Sequence, residues 1–340
     1  MKKVVTFGEI MLRLASKDYL RFVQSEEFEA TYGGAEANVA ISLANYGIDS
    51  LYVSKLPNHE IGQAALNSLR KYGVDTSYVL RGGDRLGIYY LEKGASQRPS
   101  KVIYDRKYSS FALSKEEDFN FDEIFKDCSW FHITGITPAL SDEVAKITLN
   151  AVKKAKKLGL TVSLDLNYRQ KLWSKEKANS VLTEICKYVD ICIANEEDAA
   201  DVFNIKAEKS DINSGSLSSE GYKEVCKKLK EKFNFKSVCI TLRESVSAND
   251  NNWSAILLSG DEFYFSDRYS LRIVDRVGGG DSFTAGFIAA TLKGYQNQDI
   301  INLAVAASAL KHSILGDFNL VSWEEVEKLA NGNKSGRIQR

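Results

Sequence analysis

The sequence predicts an α/β protein of three layers, a mainly parallel, doubly wound sheet with helices on both faces, accompanied by a small second sheet. Three observations carry this expectation. Strand-like and helix-like periodicities alternate along most of the chain, the pattern that buries a parallel sheet between helices. Two stretches, residues 11–32 and 87–106, break that alternation with strand-like runs and no helix between them. The length of 340 residues suits about two structural units, or one large α/β unit with an insertion.

Taken in order, residues 3–10 read as a strand, and residues 35–46 place Ala37, Val39, Ala40, Leu43 and Ala44 at helical spacing before Gly47 stops the run. Residues 50–56 are strand-like and residues 61–72 helical up to Gly73. A short buried strand at 130–134 precedes a helix at 142–158, where Val144, Ile147, Ala151, Ala155 and Leu158 share one face. Strands follow at 160–166 and 189–194, each preceded by a helix, and a last helical run spans 282–292. The two exceptional stretches, with Ile88-Tyr89-Tyr90-Leu91 and Lys101-Val102-Ile103-Tyr104, read as a small antiparallel sheet beside the main one. Residues 206–219, rich in Ser, Asp and Lys, read as a surface loop, and residues 331–340 as a frayed, disordered tail after a single domain spanning 1–330.

Composition excludes several classes. Hydrophobic residues at 44% and charged residues at 26% are globular values, and 45 basic against 45 acidic residues leave no excess charge for nonspecific nucleic-acid binding. Five scattered cysteines (Cys128, Cys186, Cys192, Cys226, Cys239) contain no CxxC pair, and three dispersed histidines (His59, His132, His312) form no metal motif. No stretch approaches the roughly 18 apolar residues of a membrane helix. A reduced, soluble, cytoplasmic protein with a small-molecule or protein partner is expected.

The most informative segment is Asp275-Arg276-Val277-Gly278-Gly279-Gly280-Asp281, which opens the last helical run. Free N–H groups and the positive end of a helix dipole favour an anion there, and glycine lets a phosphate approach the backbone. An acid beside such a site incurs repulsion unless it has a task, and accepting a hydroxyl proton during phosphoryl transfer is one. A side chain at Gly280 would obstruct the approach and strain any positive-φ geometry. The competing reading is a glycine-rich turn capped by Asp281, and this segment alone does not separate the two. A second cluster, Gly33-Gly34-Ala35-Glu36-Ala37-Asn38, also opens a helix. Its small residues leave room for a ligand and Asn38 offers donor and acceptor to hydroxyls, although by itself it reads more readily as a packing turn. Neither a GxxxxGK[ST] loop nor a GxGxxG fingerprint is present, which argues against P-loop and dinucleotide-binding readings.

Together, GGAEANVA and DRVGGGD resemble the two signature regions of the ribokinase-like (PfkB) carbohydrate kinases, and the resemblance covers essentially the whole chain. VVTFGEIMLRL, TYGGAEANVA, GASQRPSKVIYDR, GITPAL, DLNYRQKLW, IANEED and ITLRES look most like the bacterial 2-keto-3-deoxygluconate kinases within that family. The resemblance implies a Rossmann-like αβα domain that carries ATP, with a small β-sheet lid over the sugar. It implies Asp281 as catalytic base and the backbone of Gly278, Gly279 and Gly280 as an anion hole. Gly33, Gly34, Ala35, Glu36, Ala37 and Asn38 would line the sugar pocket. Tyr89, Tyr104 and Arg106 from the lid, Ile136 of GITPAL, and Asp317 from a late loop would join them. Asn167, Tyr168, Arg169, Asn195 and Thr241 would lie towards ATP, with Arg169 able to reach the sugar as well. Magnesium would accompany ATP, its protein ligands left unassigned.

Three positions depart from the family pattern. Thr241-Leu242-Arg243-Glu244-Ser245-Val246-Ser247 replaces a second glycine-rich nucleotide loop, Asn195-Glu196-Glu197-Asp198 ends a metal-orienting NxxE in Asp, and Arg276 stands where many relatives have Thr. The proposed base is untouched. An acid sugar carries a carboxylate that an enclosed site must neutralise, and a guanidinium fork on Arg106 or Arg169 suits that bidentately. The resemblance thus implies transfer to the 6-hydroxyl of 2-keto-3-deoxygluconate. Another sugar kinase of the same fold, such as a fructokinase, or a non-catalytic sugar-binding regulator, are the alternatives. A small exposed lid sheet invites pairing into a dimer or larger closed assembly.

Overall fold

The computed structural model describes residues 3–195, 197–207 and 219–332. Its strands are β1 (Lys3–Phe7), β2 (Met11–Ser16), β3 (Phe28–Gly33), β4 (Ser50–Leu56), β5 (Val79–Arg81), β6 (Ile88–Glu92) and β7 (Lys101–Asp105). They continue with β8 (Cys128–Thr134), β9 (Thr161–Asp165), β10 (Ile191–Asn195), β11 (Ser237–Ser245), β12 (Asp250–Ser259), β13 (Glu262–Phe265) and β14 (Tyr269–Arg272). The helices are α1 (Ala35–Asn45), α2 (Glu60–Arg70), α3 (Phe121–Ile124), α4 (Asp142–Lys157) and α5 (Lys175–Cys186). After them come α6 (Asp198–Phe203), α7 (Ser219–Phe233), α8 (Gly279–Lys293), α9 (Asn297–Lys311) and α10 (Trp323–Ala330).

Ten strands form the main sheet in the order β13-β12-β11-β10-β9-β8-β1-β4-β5, with β14 also on β12. From β11 to β5 all pairings are parallel, and β12 to β14 add an antiparallel edge. The period-2 alternation of each strand divides its residues between two cores. Val5, Phe7, Phe131, Ile133 and Cys192 pack under α4, α5, α6 and α7, while Val4, Trp130, Ile191, Ile193 and Cys239 pack under α1, α8, α9 and α10. Helix ends follow local chemistry: Ser141 Oγ accepts from the Val144 N–H at the start of α4, and Gly294 in the left-handed region closes α8.

The three-layer expectation therefore holds, and the differences have physical reasons. Residues 3–10 are not one strand. The chain leaves the main sheet after Phe7 and enters the second sheet at Met11, with Gly8 passing so close to the Glu36 carboxylate that no side chain fits. The second sheet, β3-β2-β6-β7, is mixed rather than antiparallel, because β2 and β6 run parallel with Leu12 beside Ile88. Such a pair needs a long crossover, here the main-sheet segment through α1, β4, α2 and β5, and local alternation carries no information on strand direction. Helix α8 begins at Gly279, three residues ahead of the predicted start at 282, since glycine's low propensity hides the first turn. Ser219 opens α7 instead of ending a loop; 208–218, and 333–340 of the expected tail, lie outside the described residues. All five cysteines are free, and no helix among the described residues is long and apolar enough to cross a membrane.

Candidate active site

The carboxyl ends of β9, β10 and β11 open into a cavity of about 470 Å³ roofed by the second sheet, the usual place for a ligand in an open α/β sheet. Its floor is made by the starts of two helices, α1 and α8. Gly278, at φ +83°, turns the chain into α8, and any Cβ there would run into the Asp317 carbonyl. Gly279 lies against the His312 ring, whereas Gly280 faces open space, with nothing within 4 Å of where a Cβ would stand. The positive φ expected at Gly280 thus belongs to Gly278. No side chain caps α8, so its N-terminal end is presented to the cavity.

Asp281 sits in that first turn, buried, with Oδ2 accepting from Asn38 Nδ2 at 2.6 Å. Asn38 is in turn oriented by the Gly34 N–H, which donates to its Oδ1 at 3.3 Å. Burial pushes the Asp281 carboxyl up to about 7, helped by the negative Glu36 and Asp317 and opposed by Asn38 and Arg169. A carboxylate poised near neutrality beside an open helix N-terminus is equipped to take a proton from a hydroxyl.

The second sheet and the residue after β7 contribute Met11, Tyr89, Val102, Tyr104 and Arg106. The Tyr89 hydroxyl donates to Asp317 at 2.6 Å, and Arg13 bridges Asp317 (2.8 Å) and Asp275 (2.5 Å) with its two terminal nitrogens. Arg13 escaped notice in the sequence, although the signal was there: it shares the inward face of β2 with Met11 and Ala15, an apolar face where a charge needs a partner. Arg106 has a partner the sequence did not reveal. Its Nε and Nη2 donate to Glu9 at 2.8 and 2.5 Å, and Ser109 donates to the other Glu9 oxygen. The fork expected to clasp a substrate carboxylate is thus occupied by a protein one. Arg169, exposed just after β9, makes no ion pair among the described residues and spreads positive potential over Asp165, Asp198 and Asp281.

Towards the β10 and β11 ends, Asn195 Oδ1 accepts from the N–H groups of Glu197 and Asp198 at 2.8 and 3.0 Å. Asp198 in return accepts from the N–H groups of Tyr168 and Asn195, both at 3.2 Å, tying the β9 and β10 loops together. Burial pushes Asp198 up to about 6, and holds Asp165 well above the carboxylate range with Asp198 and Asp281 adding repulsion. Asn167, Tyr168 and Thr241 line the same end. Where the family pattern has a second glycine-rich loop, β11 simply continues to Ser245 and pairs with β12 as a regular hairpin. That hairpin brings in Arg243, Asn251 and Trp253, which join Arg276 and His312 on the wall; Arg276 is legible in the sequence only as a departure from the family pattern, and the other four were missed because they converge only through the β11–β12 register and the end of α9. Burial holds His312 neutral, down at about 4.

Of the expected residues, Gly34, Ala35, Glu36, Asn38, Tyr89, Tyr104, Arg106, Ile136, Asn167, Tyr168, Arg169, Asn195, Thr241, Gly278, Gly279, Gly280, Asp281 and Asp317 line the one cavity. Gly33 and Ala37 do not. Gly33 backs onto the Asp317 carboxylate, and Ala37 points into the core with Ile10, Ile41 and Tyr52. Glu36 reaches the wall, but its Oε1 accepts from Thr134 N, Thr134 Oγ1 and Thr137 Oγ1 at 2.9, 2.8 and 2.7 Å, which makes it a tie between α1 and β8 rather than a hydroxyl ligand. Asn38, likewise expected on sugar hydroxyls, gives one of its two Nδ2 N–H groups to Asp281.

A family model described as pfkB family carbohydrate kinase matches residues 1–317. A solved structure of 2-dehydro-3-deoxygluconokinase from Thermotoga maritima superposes with a TM-score of 0.94 at 51% identity, covering 98% of this chain and 100% of that one. The 2-dehydro-3-deoxygalactonokinase of Haloferax volcanii is 32% identical over 335 residues, 98% of each chain. The 2-dehydro-3-deoxygluconokinase of Bacillus subtilis is 30% identical over 317 residues, 93% of this chain and 91% of its own.

Proposed function

Because the chain belongs to the pfkB family of carbohydrate kinases, we propose that it transfers the γ-phosphoryl group of ATP to the 6-hydroxyl of 2-keto-3-deoxygluconate. The observation that carries this reading is Asp281, buried at the open start of α8 and held there by Asn38. Asp281 accepts the hydroxyl proton as O6 attacks the γ-phosphorus, the bond from that phosphorus to the bridging oxygen breaks, and ADP leaves. The backbone of Gly278, Gly279 and Gly280 with the positive end of α8 faces the charge that spreads over the phosphoryl oxygens. Among the described residues no group of three His, Cys, Asp or Glu forms a preassembled metal cage. A magnesium ion bound mainly by phosphates and water needs only one or two carboxylates, and the mutually repelling Asp165 and Asp198 fit that need; it would neutralise phosphate charge.

The keto-acid's carboxylate falls to Arg169, since Arg106 is taken by Glu9 along its fork edge. Arg169→Ala should lower kcat/KM for the acid by roughly 10–10³-fold while a reduced C1-alcohol analogue barely changes. Equal losses for both compounds would remove Arg169 from carboxylate recognition. Gly280→Ala adds a methyl into open space, so the fold should keep its Tm while ATP-dependent turnover falls by roughly 10²-fold from misplacement of the phosphoryl group. Normal turnover in that variant would show that phosphate does not approach there.

The Haloferax volcanii relative's name supports a second reading, the galactonate epimer, which differs at one hydroxyl. A coupled kinase assay with both epimers and fructose side by side tests all of these: the reading fails if neither keto-acid is phosphorylated faster than fructose. Assembly through the lid remains part of the proposal, supported by the exposed Val23, Phe28 and Ile103 there.

A further inference from the structure

Lys311, the last residue of α9, is 0% exposed, the only fully buried charged side chain among the largest buried ones. Its Nζ donates to two main-chain carbonyls, Ile314 at 3.1 Å and Asp275 at 3.5 Å. These belong to the two loops that bracket the start of α8, one leading into the glycine turn and one carrying Asp317. The end of its methylene stem lies behind Gly278, 3.3 Å from where a Cβ would stand. Among the described residues no carboxylate lies within ion-pair distance of the ammonium. An unpaired buried charge costs stability that a methionine of similar length would not, so packing alone does not account for it.

The charged and titratable groups facing Lys311 are Asp275 and Asp317 on the loops, Arg13 on β2 and Asp281 on α8, with neutral His312 beside it on α9. Burial lowers the ammonium's own pKa, and the three carboxylates oppose that. We infer that Lys311 is a positioning residue for phosphoryl transfer, a fixed positive charge behind the glycine turn that strengthens the anion-attracting end of α8 and favours the ionised form of Asp281. The inference rests on the phosphoryl-transfer reading above.

Two substitutions separate charge from hydrogen bonding. Lys311→Met keeps the stem and removes both; Lys311→Gln removes the charge but keeps an N–H donor for the carbonyls. Both should fold, with turnover roughly tenfold or more below wild type, less than the 10²–10³ typical of losing a direct oxyanion donor. KM for the sugar should stay within about twofold, as expected when an interaction serves the transition state alone. The acid limb of the kcat/KM–pH profile should move to higher pH, a change that a merely structural tie would not produce. Wild-type turnover in Lys311→Gln would overturn the inference, as would wild-type turnover in both variants, an unmoved acid limb, or failure of both to fold. If the wild-type chain itself shows no ATP-dependent turnover, the proposed function fails and this inference with it; variants that match an active wild type sink the inference alone.

Discussion

Asp281→Asn lowers turnover by roughly 10²–10⁴, the range for a lost general base, while sugar and ATP binding stay nearly intact. The asparagine oxygen can still accept from Asn38, so the floor of the site keeps its shape. Wild-type kcat/KM should rise with pH and level off above about 7, because the protonated carboxyl cannot accept the hydroxyl proton. The variant should lose that limb. Stability should move the other way. A carboxyl whose folded pKa is raised penalises folding once pH exceeds its unfolded pKa near 3.8, so Asp281→Asn should hold or raise Tm at neutral pH. A variant with near-normal kcat would remove Asp281 from the chemistry; one that binds neither substrate would recast it as structural.

Arg13→Met should be the most destabilising of the substitutions considered. It strands Asp275 and Asp317, both buried and both within 2.8 Å of the guanidinium, and removing one side of such an arrangement costs about 3–5 kcal/mol. Thermal unfolding should fall by on the order of 10 °C in a chain of this size. Asp317→Asn in the same background should recover part of the loss, since one unpaired charge disappears. A cycle of the two single variants and the double one isolates the coupling, and strict additivity would mean that the pair contributes nothing specific.

How far the sequence reaches is clearest at particular residues. The α/β alternation is written into it because helix and strand periods are local, and the two glycine clusters mark helix starts because only glycine fits the turn at Gly278 or the approach of Gly34 to the Glu9 carbonyl. Asp281 could be singled out from its neighbours, although they alone do not separate a base from a helix cap. Arg106 could not be judged that way, because its partner Glu9 lies 97 residues earlier. Glu36 and Asn38 look like ligands in a small-residue stretch, yet Glu36 Oε1 is held by β8 and Asn38 Nδ2 donates to α8, elements far along the chain. Ala37 belongs to the core for a reason of helical phase, one position from a residue that lines the cavity. The parallel pairing of β2 with β6 follows from the path of the chain between them and leaves no local trace.

Arg13 and Asp317 stand 304 residues apart, with the strands of the roof threaded between strands of the main sheet. During synthesis the roof strands therefore leave the ribosome long before either acid that will neutralise Arg13 exists. Until Asp275 and then Asp317 emerge, water is the guanidinium's only counterpart, and burying β2's inner face would strand a charge. The roof can lock over the pocket only after Asp317 has been made. A chain cut short before residue 317 has the main strands and most helices but lacks the second acid that pairs with Arg13, so burying the inner face of β2 would strand a charge there.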